Sequence, residues 1–168
     1  MPSTPPYPCG VLTLSDKGAA GARQDTSGPR IREMLAAAGL QVAVYQMLPD
    51  ERELIETLLK QWSDQEQLAL IVTTGGTGLS PRDCTPEATA AVIERPVPGL
   101  SELMRWSSWQ KTPHAILSRG VSGIRKQTLI INLPGSRKAA EENLATILPA
   151  LPHALAKLRG DPADCAPE

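Results

Sequence analysis

Residues 68–78 read LALIVTTGGTG, in which a run of apolar and β-branched residues leads directly into a glycine-rich loop. A short apolar run of this kind is typical of a strand that is buried on both faces of a parallel sheet. Amphipathic helical patterns lie on both sides of it, over Ile31–Ala38, Leu54–Trp62 and Leu144–Leu158. Because strands and helices alternate along the chain, the sequence predicts an α/β layer structure with a mostly parallel sheet.

The same patterns predict the remaining elements. Further strands are expected at residues 10–14, 41–48, 115–117 and 128–131. A helix is expected to begin at Thr85, whose side chain would cap it, with Pro86 in the first helical position. The helix expected over residues 97–110 would bury four apolar side chains, those of Leu100, Leu103, Met104 and Trp106. Pro149 and Pro152 interrupt the last helical pattern and predict two helices or a kink.

Length and charge limit the class of protein. The 168 residues fit one domain, and the formal net charge of -1 argues against a dedicated nucleic-acid binder, which needs a basic face. No apolar run approaches the ~20 residues of a membrane span. Cys9, Cys84 and Cys165 form no Cys-x-x-Cys pair, and we interpret them as free thiols in a reducing compartment. We therefore expect a cytoplasmic protein with a flexible leader at 1–8, one domain at 9–160 and a tail at 161–168.

Polar residues collect where the predicted strands end. Four loops follow strand ends, at residues 15–16, 49–50, 74–83 and 132–136. Ligands of parallel α/β sheets bind outside the carboxyl ends of the strands. These loops are therefore the candidate site.

The loop at residues 74–78 holds three glycines in five residues. Glycine allows positive φ and lets backbone N–H groups approach a ligand closely, and the flanking threonine hydroxyls suit phosphate oxygens. The loop has neither the Gly-Lys-Ser/Thr of a Walker P-loop nor the G-x-G-x-x-G spacing of a dinucleotide site. A tight strand–helix connection that binds no ligand is the alternative at this point.

Asp50 and Asp83 each follow a strand end, so both are candidates to face one crevice. Two carboxylates there would hold Mg²⁺ against substrate phosphates, because Mg²⁺ prefers hard oxygen ligands and takes few of them from protein. Capping of the helices that follow is the alternative for both residues. His114 and His153 have no partner at metal-ligand spacing and are interpreted as structural or surface residues, whereas Arg119 is either solvated or a phosphate contact.

Several motifs in order resemble the MoaB/Mog family of molybdenum-cofactor biosynthesis. The main block is TTGGTG at 73–78 followed by PRDCTPEAT at 81–89. Supporting blocks are VLTLSD at 11–16, LPDE at 48–51, ILSRGVSGIR at 116–125 and LIINLPGS at 129–136. The segment LPALPHA at 148–154 is similar to the G domain of gephyrin. The resemblance covers roughly residues 9–160, closest to the Mog branch and to that G domain.

The resemblance implies a three-layer αβα sandwich that acts as a molybdopterin adenylyltransferase. Such an enzyme joins Mg-ATP and molybdopterin to give adenylylated molybdopterin and pyrophosphate. The family's essential aspartates map onto Asp50 and Asp83, which would be catalytic and would hold Mg²⁺ through the substrate phosphates. Its substrate contacts map onto Ser15, Thr74, Gly75, Gly76, Thr77, Gly78, Ser118, Asn132, Pro134, Gly135 and Ser136.

The resemblance also implies partners, and it leaves two alternative functions open. It implies a homotrimer, and a separate protein for molybdate insertion because no second domain follows. No nucleic acid or membrane partner is expected. Rival interpretations are a CinA-type hydrolase of dinucleotide-like substrates, which shares this domain in a longer chain, and a non-catalytic molybdopterin-binding or scaffold module. The presence of both Asp50 and Asp83 favours the enzyme.

Overall fold

The computed structural model describes residues 7–162. One six-stranded sheet runs through it in the order β2-β1-β3-β6-β5-β4. The strands are β1 Pro8–Leu14, β2 Gln41–Leu48, β3 Leu70–Thr74, β4 Arg95–Pro96, β5 Ser122–Arg125 and β6 Thr128–Leu133. The helices are α1 Asp16–Ala19, α2 Ser27–Ala37, α3 Arg52–Asp64, α4 Thr85–Val92, α5 Pro98–Trp109, α6 Arg137–Ile147 and α7 Leu151–Leu158. Two 3-10 turns lie at Pro113–Leu117 and Leu148–Ala150.

Four strands of the sheet are parallel. β1 pairs with β2 and β3, and β3 pairs with β6, all in parallel register. β5 runs antiparallel to β6, and β4 antiparallel to β5. The predicted α/β class with a mostly parallel sheet is thus confirmed. The carboxyl ends of the four parallel strands meet at one edge, where Leu14 pairs with Leu48 and Thr74 with Leu133.

Apolar side chains cover both faces of the sheet. Along β3, Leu70 and Val72 pack into the layer formed with α2, α6 and α7, whereas Ile71 packs into the layer formed with α3 and α4. The first layer includes Leu35 of α2 and the second Trp62 of α3. This alternation gives the three-layer sandwich.

Two expectations for residues 97–117 are wrong. The strand expected at 115–117 is a 3-10 turn, because Pro113 fixes φ at its start and the Thr112 side chain accepts a hydrogen bond from the N–H of His114. In α5, Met104 is buried as predicted, but Leu103 and Trp106 are exposed. Helical spacing predicts which side chains lie near one another on a helix. Tertiary packing decides which of those side chains the rest of the chain buries.

Other elements differ in detail. The short helix α1 lies in a segment expected to be a loop, and β4 and β5 follow no recognisable apolar run. α4 includes Thr85 with Cys84 as its N-cap, and the Thr85 hydroxyl donates to the carbonyl of Gly75 instead of capping the helix. The break in the last helical pattern is confirmed, since a 3-10 turn separates α6 from α7.

The chain ends bear on the predicted domain limits. β1 begins at Pro8, and Tyr7 packs against the core, so these two residues of the expected leader join the domain. Residues 1–6 and 163–168, which include Cys165, lie outside the described residues, and the leader and tail stay predictions. Within residues 7–162, every helix is too short or too polar to cross a bilayer.

Candidate active site

The ends of β1 and β2 are locked together by two aspartates. The N–H of Asp16 donates to Oδ2 of Asp50 at 3.1 Å, and the N–H of Asp50 donates to Oδ1 of Asp16 at 2.9 Å. Arg82 grips Asp16 through two hydrogen bonds of 2.9 Å. Because of these bonds, the pKa of the exposed Asp16 carboxyl falls to about 2. Asp16 therefore stays ionised and fixes the backbone that carries Asp50.

The loop after β3 needs glycine for steric reasons. Gly75 and Gly76 adopt φ values of 101° and 65°, the left-handed region that other residues avoid. A Cβ on Gly75 would overlap the carbonyl oxygen of Leu14. A Cβ on Gly76 would overlap the Thr85 hydroxyl and lie 2.7 Å from Oδ1 of Asp50. The backbone therefore passes too close to its neighbours for any side chain.

The same loop presents a row of unused donors. Within residues 7–162, no hydrogen bond uses the backbone N–H groups of Gly76, Thr77 or Gly78. Consecutive N–H groups next to left-handed residues form a concave site for anions. The loop therefore has the chemistry of a phosphate cradle.

Asp50 carries an unsatisfied carboxylate oxygen. Its Oδ1 is buried and has no hydrogen-bond partner among the described residues. Burial raises the pKa of Asp50 above its ordinary value; the negative charges of Asp16 and Asp83 add to that increase, and the N–H of Asp16 only partly opposes it. A positive charge bound beside Oδ1 would remove this penalty.

Asp83 lies at the other end of the stretch Gly76 to Gly78. Its Oδ2 accepts a hydrogen bond from the N–H of Ser80 at 3.2 Å, and a Cβ on Gly78 would lie 2.8 Å from that oxygen. Asp50 thus adjoins Gly76, and Asp83 adjoins Gly78. Two carboxylates, one with a free buried oxygen, fit a hard divalent cation. In residues 7–162 no cluster of three or more metal-binding side chains exists, so such a cation would take its other ligands from substrate phosphates and water.

A pocket of about 500 Å³ opens beside the loop. Asp83 lines it together with Gly76, Thr77 and Gly78. The other predicted site residues on its wall are Ser118, Asn132, Pro134 and Gly135. Pockets of this size are typical of small-molecule sites. The structure therefore brings eight of the predicted residues to one cavity.

The five remaining predicted residues do not line this pocket: Ser15, Asp50, Thr74, Gly75 and Ser136. Ser15 and Ser136 are the N-caps of α1 and α6. The Thr74 hydroxyl donates to the carbonyl of Pro134 at 2.7 Å. Through these contacts, Ser15, Thr74 and Ser136 hold the loops in place.

Asn132 lines the pocket, but its side chain forms hydrogen bonds within the protein. Its amide nitrogen donates to the hydroxyls of Thr73 and Thr89, and its amide oxygen accepts from the N–H of Val121. The side chain is buried and ties β6 to its neighbours. Asn132 therefore shapes the pocket wall.

The opposite wall was not predicted from sequence. It is formed by α5, α6 and the 3-10 turn at Pro113–Leu117, through Ser101, Met104, Arg105, Ser108, Thr112, His114, Ala115, Leu117, Ala139, Glu142 and Asn143. His114 is exposed and lines the pocket mouth. A polar stripe in α5, with Ser101, Arg105 and Ser108 at helical spacing, was the available signal. It is what a helix facing a polar cavity requires.

Comparison with known proteins identifies the family. A family model described as "Probable molybdopterin binding domain" matches residues 10–153. The chain belongs to this family. The sequence-based resemblance is thereby confirmed.

Relatives from other organisms agree. The molybdopterin adenylyltransferase of Helicobacter pylori is 45% identical over 90% of this chain and 88% of its own length. Gephyrin of Dictyostelium discoideum is 44% identical over 95% of this chain, but this chain spans only 23% of gephyrin. Similarly, the chain spans 24% of the molybdenum cofactor synthesis protein cinnamon of Drosophila melanogaster.

Solved structures share the fold. The molybdopterin biosynthesis enzyme MoaB of Thermus thermophilus is 54% identical, with a TM-score of 0.88 over 94% of this chain and 99% of its own. A CinA protein of Thermoplasma acidophilum has a TM-score of 0.68 at 20% identity, over 87% of this chain and 98% of that chain, which shows a common fold alone. Chain length therefore does not separate this protein from that CinA structure.

Proposed function

We propose that this protein is a molybdopterin adenylyltransferase, which transfers AMP from Mg-ATP to molybdopterin and releases pyrophosphate. The observation that carries the proposal is the buried, unpartnered Oδ1 of Asp50 beside Gly76, at one end of three unused N–H groups whose residues line a pocket together with Asp83. Relatives named for this activity match over most of their length, which supports it further.

The reaction needs alignment and charge neutralisation more than covalent chemistry from the protein. A phosphate oxygen of molybdopterin attacks the α-phosphorus of ATP, and the bond from that phosphorus to the pyrophosphate oxygen breaks. The N–H groups of Gly76, Thr77 and Gly78 would bind phosphate oxygens and hold the two substrates in line. Asp50 and Asp83 would hold the Mg²⁺ that accompanies ATP, which supplies positive charge to the phosphates.

The pocket walls suit the rest of such a substrate. Met104, Ala115 and Ala139 provide apolar surface for a flat heterocycle. Ser101, Ser108 and Asn143 provide polar groups around it. Gly76, Thr77, Gly78 and Asp83 form another part of the lining. A ligand with an aromatic ring and a phosphate would match this division.

Self-association is part of the proposal, as a homotrimer. Seven large hydrophobic side chains are exposed in residues 7–162, and five of them lie on α5 and the following 3-10 turn. We call these five the α5 apolar face: Leu103, Trp106, Trp109, Ile116 and Leu117. Large exposed apolar side chains of this kind suit the core of a protein–protein contact, which buries about 800 Å² per partner. Arg105, which lies between them in sequence, directs its guanidinium to the carbonyls of Ser118 and Gly120. The guanidinium of Arg105 is therefore paired within the domain.

We also propose a cytoplasmic location and a separate partner that inserts molybdate into the product.

The direct test is pyrophosphate release from purified protein mixed with Mg-ATP and molybdopterin. The proposal predicts release only when both substrates and Mg²⁺ are present. A hydrolase would release product from a nucleotide substrate without molybdopterin, and a binding module would bind molybdopterin without any release. Either result would refute the adenylyltransferase.

A further inference from the structure

The segment 118–120, between the 3-10 turn and β5, holds the loop between β3 and α4 through one residue, Arg119. Nε of Arg119 donates to the carbonyl of Gly78 at 2.8 Å, and Nη2 donates to the carbonyl of Asp83 at 3.0 Å. The backbone N–H of Arg119 donates to the carbonyl of Thr77 at 2.9 Å. One residue therefore binds three carbonyls, at both ends of the loop between β3 and α4.

The loop has few other attachments. Asp83 and Ser80 bond to each other within it, and Arg82 reaches Asp16 at the surface. Leu79 to Arg82 are exposed. At the start of the loop, the N–H of Gly75 donates to the carbonyl of Leu133, and the carbonyl of Gly76 accepts from the N–H of Thr85. For residues 77–83, whose other contacts are internal or exposed to water, the half-buried Arg119, whose side chain is 34% exposed, is the main link to the body of the domain.

Arg119 is itself held in a defined orientation. Nη1 forms an ion pair with Oε1 of Glu87, in the first turn of α4. Arg105 of α5 donates to the carbonyl of Gly120 at 2.8 Å and to that of Ser118 at 3.4 Å. Contacts with α4 and α5 thus fix the segment that holds the loop.

We propose that Arg119 is a positioning residue for the adenylyl transfer: its guanidinium sets the backbone at Gly78 and Asp83, so that the Asp83 carboxylate and the loop N–H groups converge on the substrate phosphates. The role assigned to Asp83 rests on the proposed function, whereas the ordering of the loop does not. Each guanidinium nitrogen donates to a protein acceptor, and Arg119 is absent from the lining of the pocket, so its effect on the reaction passes through the loop. Lysine cannot replace it, because an ammonium lacks the planar fork that spans acceptors in different directions.

The test compares Arg119→Lys with Arg125→Lys. Arg125 is a matched control: it donates two hydrogen bonds to Asp64, at 2.9 and 2.6 Å, and one to the carbonyl of Val92 at 3.0 Å. It lies at the opposite edge of the sheet, where β5 pairs with the start of β6. Glu87→Gln is a milder third variant, which keeps an acceptor for Arg119 but removes its charge.

The first readout, in the protein without substrates, is hydrogen exchange of the hydrogen-bonded backbone N–H groups at the loop, those of Ser80, Asp83 and residue 119. We expect exchange to be at least about ten-fold faster in Arg119→Lys, less accelerated in Glu87→Gln and unchanged in Arg125→Lys. Exchange in β3 reports whether each variant is folded. If Arg119→Lys unfolds, the proposal is tested by comparing exchange in Glu87→Gln with exchange in Arg125→Lys. Unchanged exchange in the loop would overturn the proposal whether or not the protein is an adenylyltransferase.

The second readout is adenylylation as a function of Mg²⁺ concentration. A misplaced Asp83 should lower kcat about ten-fold or more and raise the Mg²⁺ concentration for half-maximal rate, with a smaller change in the KM for molybdopterin. A merely stabilising arginine would lower Tm as Arg125→Lys does and leave kcat and the Mg²⁺ requirement unchanged. That pattern would also overturn the proposal.

Discussion

Replacement of Gly76 by alanine tests the close approach that shapes the glycine loop. At φ 65°, any residue with a Cβ loses about 1–2 kcal/mol relative to glycine. The new Cβ would also overlap the Thr85 hydroxyl, which donates to the carbonyl of Gly75 in a buried bond of 2.9 Å. Loss of that bond costs about 1–3 kcal/mol more. We therefore expect Gly76→Ala to lower the free energy of unfolding by about 2–5 kcal/mol.

Gly39→Ala is the matched control. Gly39 has φ 81°, but no atom lies within 4 Å of an added Cβ. It therefore isolates the conformational cost, and urea denaturation should show a difference of about 1–3 kcal/mol between the two variants. Adenylylation should fall roughly a hundred-fold in Gly76→Ala alone, because the new Cβ would lie 2.7 Å from Oδ1 of Asp50 and displace it. Equal stability and activity in the two variants would refute this account of the loop.

Two further predictions concern charge and assembly. The pKa of Asp50 is raised in the fold, so its stabilising contribution exists in acid and is lost as pH rises through that raised pKa. Asp50→Asn should therefore keep or raise the free energy of unfolding at pH 7 while the adenylylation rate falls. A marked loss of stability would show instead that the Asp50 carboxylate is structural. Light scattering should give about 54 kDa, three times 18.0 kDa, for the native chain. Leu103→Glu should lower that mass and Leu54→Glu should not, although both side chains are 43% exposed. Equal masses for the two variants would exclude the α5 apolar face as the contact.

The parallel part of the fold was predictable because its signals are local and strong. Residues 68–73 are apolar or β-branched without interruption, and the glycines that follow end the strand. β5 gave no such signal, since Ser122, Gly123 and Arg125 are poor strand residues and β5 is held by pairing with β6. The strand wrongly expected at 115–117 has the right composition, but Pro113 and the Thr112 cap favour a 3-10 turn.

The candidate site was predictable as a set of loops, and less so as a set of side chains. Parallel topology brings Asp50 and the glycine loop to one edge, and contacts within its own loop and with Arg119 place Asp83 beside them. Thr74 and Asn132 lie at that edge as expected, yet their polar side-chain atoms form hydrogen bonds with neighbouring backbone and side chains. A short polar side chain at a strand end can serve either purpose, and its sequence position does not distinguish them. The α5 wall was missed because its position depends on how the helix packs.

The central claim, that the two carboxylates serve catalysis, is tested most directly by Asp83→Asn. Adenylylation rate, molybdopterin affinity and Tm are measured on the same sample. The substitution keeps size and removes charge, so we predict that turnover falls about a hundred-fold or more, which is about 2.7 kcal/mol, while affinity and Tm change little. A lower Tm with near-normal turnover per folded molecule would contradict the claim and identify Asp83 as a residue that stabilises the turn before α4.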